Sequence, residues 1–159
     1  LGGGGVITTT VADTLNSQDW AATNPARVIY SADDIWLENG VSITGSLVAY
    51  DDILINGNNV TVTAVNEYPA VVAGDDFKFL ANDGRLDATG PVWIGDKIAD
   101  GGFGARLEVS GALRVGAGGI ETNWAGDTFK FKYESSRARF WNLPSNKGKP
   151  ITVLSWKDM

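Results

Sequence analysis

The sequence contains no cysteine and no histidine in its 159 residues. Without cysteine the chain can form neither a disulfide nor a thiolate metal site, and without histidine it lacks the base of Ser-His-Asp and Cys-His enzymes. It also lacks an apolar run near the roughly 20 residues that a membrane-spanning helix needs. These absences exclude those metal-site and nucleophile classes, and they predict no membrane span within the sequence.

Proline is scarce, with five residues, whereas glycine is abundant, with 20. Many glycines with few prolines indicate tight turns rather than a Pro/Gly-rich linker. The apolar fraction of 43% and the charged fraction of 20% are ordinary for a folded domain. We therefore expect one domain over residues 1–159, with a lead-in over 1–27, a repeat region over 28–133 and a C-terminal cap over 134–159.

Basic side chains are few in residues 1–129, which hold six Lys and Arg against 17 Asp and Glu, while residues 130–159 hold seven against two. An acidic body predicts no nucleic-acid binding. The basic end could dock on a protein partner or on the acidic front of a second copy, or it could be a solvated cap that pairs with the body. Its candidate residues are Lys130, Lys132, Arg137, Arg139, Lys147 and Lys149.

A short alternating segment recurs five times, at spacings of 19, 26, 21 and 22 residues. Its first and third positions are apolar and its second and fourth are polar, which is typical of a strand with one buried face. Short strands repeated in register predict an all-β fold, a short parallel β-helix (β-solenoid) of about five coils. A β-sandwich is the competing fold, but its hairpins would not repeat one column order. The segments are residues 41–45, 60–64, 86–90, 107–111 and 129–133.

The two ends of the repeat region are expected to carry caps, because a bare terminal coil exposes strand edges. Residues 11–22, with Thr10 as the N-cap residue, predict an amphipathic helix in front of the first coil, and a flexible arm is the alternative. The apolar content of residues 134–159 predicts a cap of loop and strand. A second apolar column predicts that Trp93 lies in the core. That column contains Tyr30, Val48, Val72, Trp93 and Val115.

Pairs of aspartates fill one turn of the repeat and would stack on one edge of the solenoid. Stacked carboxylates can bind Ca²⁺ or raise one another's pKa, whereas aspartate is also an ordinary turn residue that keeps an edge hydrated. No EF-hand spacing is present, so we expect no cofactor, with Ca²⁺ as the one candidate. The pairs are Asp33 and Asp34, Asp51 and Asp52, and Asp75 and Asp76.

Trp36 lies two residues beyond the first aspartate pair. An exposed tryptophan beside acids could stack on a sugar ring or join a protein interface, and the alternative is that the N-terminal cap covers it. Carboxylate pairs also serve glycosidic chemistry on β-helices, but only Lys78 and Lys97 could act as basic partners here. The sequence therefore predicts a non-enzymatic protein, with a carbohydrate-binding or carbohydrate-cleaving β-helix as the alternative.

Residues 47–62 and 112–116 resemble the C-terminal β-helical regions of PilX-type pilus-assembly proteins, and residues 151–157 are similar to their closing strand. The chain more loosely resembles the bactofilin-type polymer-forming β-helices. The likeness spans roughly residues 28–157. It implies a structural role in the bacterial cell envelope, in the periplasm, at the cell surface or in a secreted form, with protein partners or self-association. Leu1 and the four glycines after it look like a junction, so any membrane anchor is expected upstream.

Overall fold

The computed structural model describes residues 5–7 through their backbone, and residues 27–65, 68–121 and 126–136 in full. These ranges contain 16 β-strands and no helix, and the strands form three parallel sheets. The prediction of a parallel β-solenoid of about five coils is confirmed. The predicted N-terminal helix over residues 11–22 and the C-terminal cap beyond residue 136 lie outside the described residues.

Each coil contributes one strand to each sheet, in the same order along the chain. Sheet 1 receives the first strand of every coil, and its hydrogen-bonded order follows the coil order from coil 1 to coil 5. The strands have three or four residues except the last, which has two. They are β2 (Val28–Ser31), β5 (Ser46–Ala49), β8 (Val71–Ala73), β11 (Val92–Ile94) and β14 (Leu113–Arg114).

Sheet 2 receives the second strand of every coil and one extra strand at its front edge. That extra strand, β1 (Gly5–Ile7), pairs in parallel with the coil 1 strand. The lead-in therefore supplies a strand where sequence reasoning expected only a cap, and among the described residues this strand covers the front edge of sheet 2. The coil strands are β3 (Ile35–Leu37), β6 (Ile53–Ile55), β9 (Phe77–Phe79), β12 (Lys97–Asp100) and β15 (Gly119–Ile120).

Sheet 3 receives the third strand of every coil, which is the alternating segment of the repeat. The predicted register holds, because Val62 pairs with Ala88, Ala88 with Val109, and Val109 with Phe131. Inward positions in coils 1–4 are buried and outward positions are partly or fully exposed. The strands are β4 (Ser42–Thr44), β7 (Val60–Thr63), β10 (Arg85–Thr89), β13 (Arg106–Gly111) and β16 (Thr128–Tyr133).

The core is one continuous cluster of aliphatic and aromatic side chains between the three sheets. Phe77 and Phe79 lie at its centre, with their rings edge to face at 5.3 Å between centroids. Small residues occupy the end of the sheet 1 strands of coils 1 to 3, where Ser31, Ala49 and Ala73 stack in register and are buried. Each coil thus completes the core of its neighbours, as in other repeat proteins.

The prediction that Trp93 lies in the core is wrong. Tyr30, Val48, Val72 and Trp93 do form one column, but that column occupies outward positions of sheet 1. Its fifth member is Arg114 rather than Val115. The Arg114 guanidinium lies over the Trp93 ring at 4.6 Å, so the column ends in a cation–π contact on the surface.

No described residue belongs to a helix that is long and apolar enough to cross a membrane.

Candidate functional site

The aspartate turns lie between the sheet 1 and sheet 2 strands of each coil and stack directly above one another. The first aspartate of each pair is exposed, and Asp96 continues this row in coil 4. Backbone bonds fix the stacking, since Asp75 N–H donates to the Asp51 carbonyl at 3.1 Å and Asp96 N–H to the Asp75 carbonyl at 2.9 Å. We call this set the aspartate edge: Asp33, Asp34, Asp51, Asp52, Asp75, Asp76 and Asp96.

The second aspartate of the pairs in coils 1 and 2 has a structural role. Asp34 Oδ1 accepts the N–H of Asp52 at 3.1 Å, and Asp52 Oδ1 accepts the N–H of Asp76 at 2.9 Å. Each carboxylate therefore satisfies a turn amide of the next coil, which otherwise would lack a backbone partner. This role agrees with the interpretation of the aspartates as ordinary turn residues, and it accounts for the positions of Asp34 and Asp52.

Asp76 departs from that pattern. Its exposure is only 6%, and its Oδ1 is buried without a hydrogen-bond partner. Its Oδ2 pairs with Lys78 Nζ at 3.2 Å, and the same ammonium contacts Asp52. The hydrogen bond to Asp52 is the main reason that the pKa of Lys78 is raised. One lysine therefore neutralises parts of two carboxylates and leaves one buried oxygen of Asp76 unsatisfied.

Carboxylate oxygens of the edge approach one another in three groups, each with the oxygens within 4.8 Å. Loss of surrounding water, and then the charges of Asp52, Asp34 and Asp75, raise the pKa of Asp51. The edge is thus a row of like charges only partly balanced by Lys78. The three groups are Asp33–Asp34–Asp51, Asp51–Asp52–Asp75 and Asp75–Asp76–Asp96.

Trp36 lies on the outer face of sheet 2, in a column with Leu54 and Lys78. Its side chain is half-buried, and the backbone of Val6 in β1 pairs with that of Trp36. The structure therefore brings the six predicted aspartates together but leaves Trp36 outside the carboxylate groups. It is neither a fully exposed stacking platform nor a core residue.

Two tyrosines that sequence reasoning did not single out flank the aspartate edge on the sheet 1 side. Tyr30 is exposed in the outward column of sheet 1, and Tyr50, in the turn that follows β5, is 73% exposed. Together with Val48 and Gly74 they line a groove of about 480 Å³ that also contains Asp51 and Asp75. The sequence could have shown that Tyr30 is exposed, because a column of small, buried residues lies next to it. Successive side chains of a strand point to opposite faces, so Tyr30 points outward.

Two residues of the predicted basic end are described. Lys130 and Lys132 occupy outward positions of β16 and are largely exposed. Lys130 Nζ lies 3.0 Å from Glu108 Oε1, and Lys132 Nζ lies 3.0 Å from Glu134 Oε1. Both ammonium groups therefore contact carboxylates of the solenoid. The other four predicted residues, Arg137, Arg139, Lys147 and Lys149, lie outside the described residues.

A second carboxyl pair, also not predicted, joins coils 4 and 5. Asp100 is buried and its Oδ1 accepts the N–H of Gly102 at 2.9 Å, while Asp127 Oδ1 accepts the N–H of Ala105 at 3.1 Å. Burial, and then the hydrogen bond with Asp127, raise the pKa of Asp100. A hydrogen bond between two carboxyl groups needs a proton on one of them, so the raised pKa of Asp100 favours its protonated form in the folded state.

The chain matches no protein-family model, no curated protein and no solved structure.

Proposed function

We propose that this protein is a non-enzymatic structural module of the bacterial cell envelope or of a surface appendage, and that its solenoid associates end to end with further copies. The observation that carries the proposal is the rear end of the solenoid, formed by β14, β15 and β16. In the described part of the chain, these three strands have neighbours on one side only. An unpaired parallel edge is a template for another strand.

The direction of the edge hydrogen bonds follows from the pairs that β16 makes with coil 4. Thr128 N–H donates to Ala105 at 2.8 Å and Glu134 N–H donates to Gly111 at 3.1 Å. Successive residues of a strand point their amides to opposite sides, so the amides of Phe129, Phe131 and Tyr133 point away from coil 4. Among the residues that the structure describes, no strand pairs with these three amides, and we propose that the first coil of a second copy does so.

Exposed apolar side chains accompany these outward amides. Phe131 is 46% and Tyr133 is 70% exposed, although residues in the same columns of coil 4 are buried. A cavity of about 630 Å³ opens beside Phe131, lined also by Leu113, Val115 and Ile120. The first coil of the next copy would cover this surface and extend the core. Burial of apolar surface is the main favourable term in such stacking.

The front end offers a matching cross-section. In the described residues, β2 and β4 have no strand in front of them, while β1 occupies that place in sheet 2. The coils stack in register, so in sheets 1 and 3 coil 5 of one copy can pair with coil 1 of another as coil 4 pairs with coil 5, whereas in sheet 2 β15 would meet β1. Contact between different surfaces of identical chains is head-to-tail and produces open filaments.

Sedimentation velocity over about two decades of protein concentration tests the proposal. The mean mass should rise with concentration in the wild type. Tyr133→Pro removes one outward amide, at an edge position where proline is tolerated, and should hold the protein at monomer mass. Tyr133→Thr is the matched control, because it removes the same ring but retains the amide, and it should still associate. A wild type that stays monomeric throughout would overturn the proposal.

The groove between Tyr30 and Tyr50 favours a second candidate, binding of a neutral carbohydrate chain. Exposed tyrosine rings stack on sugar rings, and the carboxylates of Asp51 and Asp75 can accept hydrogen bonds from hydroxyl groups. The carboxylates would repel an acidic glycan, which commits this candidate to uncharged hexose oligomers.

Calorimetric titration with a neutral hexasaccharide of β-linked glucose tests the groove. Tyr50→Ala should abolish saturable binding, since the ring is one wall of the groove. Tyr68→Ala is the control, because Tyr68 is also an exposed tyrosine but does not line the groove. Equal affinity in wild type and Tyr50→Ala, or no binding by the wild type, would remove this candidate.

A further inference from the structure

Asp75, Asp76 and Asp96 differ from the other two carboxylate groups of the aspartate edge in one respect. In coils 1 and 2 the inner carboxylate has its Oδ1 occupied by a backbone amide, as Asp34 and Asp52 show. Asp76 Oδ1 is buried and accepts no hydrogen bond. A buried carboxyl oxygen without a partner is costly, so its position calls for a cationic or donor ligand.

Lysine does not supply that ligand within the described residues. Lys78 Nζ reaches the other oxygen of Asp76, Oδ2, and is shared with Asp52. Lys97 takes the place that the inner aspartate holds in other coils, but its ammonium pairs with Glu121 at 3.3 Å. Neither ammonium group is therefore the partner of Asp76 Oδ1.

The oxygen spacing in this group suits a divalent ion. Ligand oxygens of Asp75, Asp76 and Asp96 lie within 4.8 Å of one another. Calcium binds oxygens at about 2.4 Å, so two ligands on opposite sides of one ion lie up to about 4.8 Å apart. Asp96 Oδ1 accepts the N–H of Gly118 at 3.0 Å, which holds this carboxylate in place and leaves its Oδ2 for a ligand.

We propose that Asp75, Asp76 and Asp96 form a site for one Ca²⁺ ion at the junction of coils 3 and 4. Asp76 Oδ1 supplies the inner ligand, the carboxylates of Asp75 and Asp96 supply ligands from two successive turns, and water completes the shell. The groups centred on Asp34 and Asp52 contain no buried oxygen without a partner, since Asp34 Oδ1 and Asp52 Oδ1 accept backbone amides and Asp52 Oδ2 pairs with Lys78, so we expect no ordered ion there. The bound ion ties coil 3 to coil 4.

Isothermal titration calorimetry of the intact chain with CaCl₂ tests the site. We expect one ion per chain, with a dissociation constant on the order of 10⁻⁴ to 10⁻³ M, as in weak oxygen-ligand sites. Asp75→Asn and Asp96→Asn should each weaken binding by about tenfold or more through loss of ligand charge. Both positions are at least partly exposed, and the Asp96→Asn side chain retains a carbonyl acceptor for the N–H of Gly118. Both variants should therefore fold, as circular dichroism would check.

Asp33→Asn is the matched control. It removes the same charge from the same turn position two coils away, and it should leave the affinity and the stoichiometry unchanged. Equal weakening in Asp33→Asn and Asp75→Asn would mean diffuse attraction to an acidic edge and would overturn the site. So would the absence of saturable heat at about 10 mM CaCl₂, well above the expected dissociation constant.

Discussion

Coils 4 and 5 carry the same columns in the same register, yet their inward side chains differ in exposure. Leu107 and Val109 of coil 4 are buried, whereas their partners Phe129 and Phe131 in coil 5 are partly buried and exposed. The side chains of coil 5 are the larger of the two sets. Within the described residues, exposure therefore depends on whether a further strand packs against the coil, and not on the apolar character of the column. In a solenoid, each coil is completed by its neighbour.

The largest expected effect compares two phenylalanines. Phe79 is fully buried in coil 3 and packs against Phe77 and Phe129, so Phe79→Ala should lower the free energy of unfolding by about 4 kcal/mol. Phe131→Ala removes the same atoms from the open end and should cost about 1 kcal/mol or less at low protein concentration. Urea denaturation of both variants measures the difference. Similar losses would mean that the end of coil 5 is as well packed as the middle.

The next effect compares two glycines. A Cβ on Gly95 would lie 1.9 Å from the carbonyl oxygen of Gly74 in the preceding coil, and no flexible side chain can move to relieve that clash. Gly95→Ala should therefore cost about 2 to 3 kcal/mol. A Cβ on Gly119 in coil 5 would meet nothing within 4 Å, although its φ of +70° is unfavourable for alanine.

Gly119→Ala should accordingly cost about 1 kcal/mol, from backbone strain alone. Thermal unfolding followed by circular dichroism would rank the two variants. If Gly119→Ala proved as damaging as Gly95→Ala, the turn of coil 5 would be packed against a further segment at Gly119.

The Asp100–Asp127 pair gives a smaller, pH-dependent effect at the junction of the two coils. Because the pKa of Asp100 is raised above 3.8, the folded state holds a proton that the unfolded state releases. The stabilisation is complete below about pH 3.8 and is lost as pH rises through the raised pKa. Asp100→Asn keeps an acceptor for Gly102 and a permanent donor for Asp127.

The variant should therefore gain stability relative to the wild type as pH rises from about 4 to 7, reaching about 1 kcal/mol near neutrality. Unfolding free energies of wild type and Asp100→Asn, measured at matched pH values, give this difference directly. A difference that stays constant across the range would show that the two carboxyls do not share a proton.

The smallest effect concerns the exposed ion pair between Glu108 of coil 4 and Lys130 of coil 5. The hydrogen bond from Lys130, and then the charge of Lys130, lower the pKa of Glu108. The pair is exposed and screened by salt, so Glu108→Gln should not change the melting temperature measurably. A clear drop in melting temperature would mean that surface charge stabilises coil 5 more than packing does.

The sequence predicted the solenoid because every coil repeats one pattern of apolar and polar positions. A misread residue in one coil is therefore outweighed by the same position in the other four. It misplaced Trp93 because apolar residues also fill the outward column of sheet 1, where Val48 and Val72 stand. The column that faces the core is the neighbouring one, in which Ala49, Ala73 and Ile94 are buried.

The aspartate edge was predictable as a set but not in its details. The position of the pairs in the repeat showed that they would stack. Only the three-dimensional structure shows that Asp76, unlike Asp34 and Asp52, has a buried oxygen without a hydrogen-bond partner. Asp100 and Asp127 were missed because they lie 27 positions apart and in different parts of the repeat. Their contact depends on how the glycine-rich turn after β12 folds back, which periodicity does not specify.

Hydrogen–deuterium exchange at low and high protein concentration tests most directly whether the open end of coil 5 is an association surface. The outward amides of Phe129, Phe131 and Tyr133 should exchange fast at low concentration and become protected at high concentration, while the amide of Val109 in coil 4 stays protected in both. Exchange of the coil 5 amides that is the same at both concentrations would contradict the account.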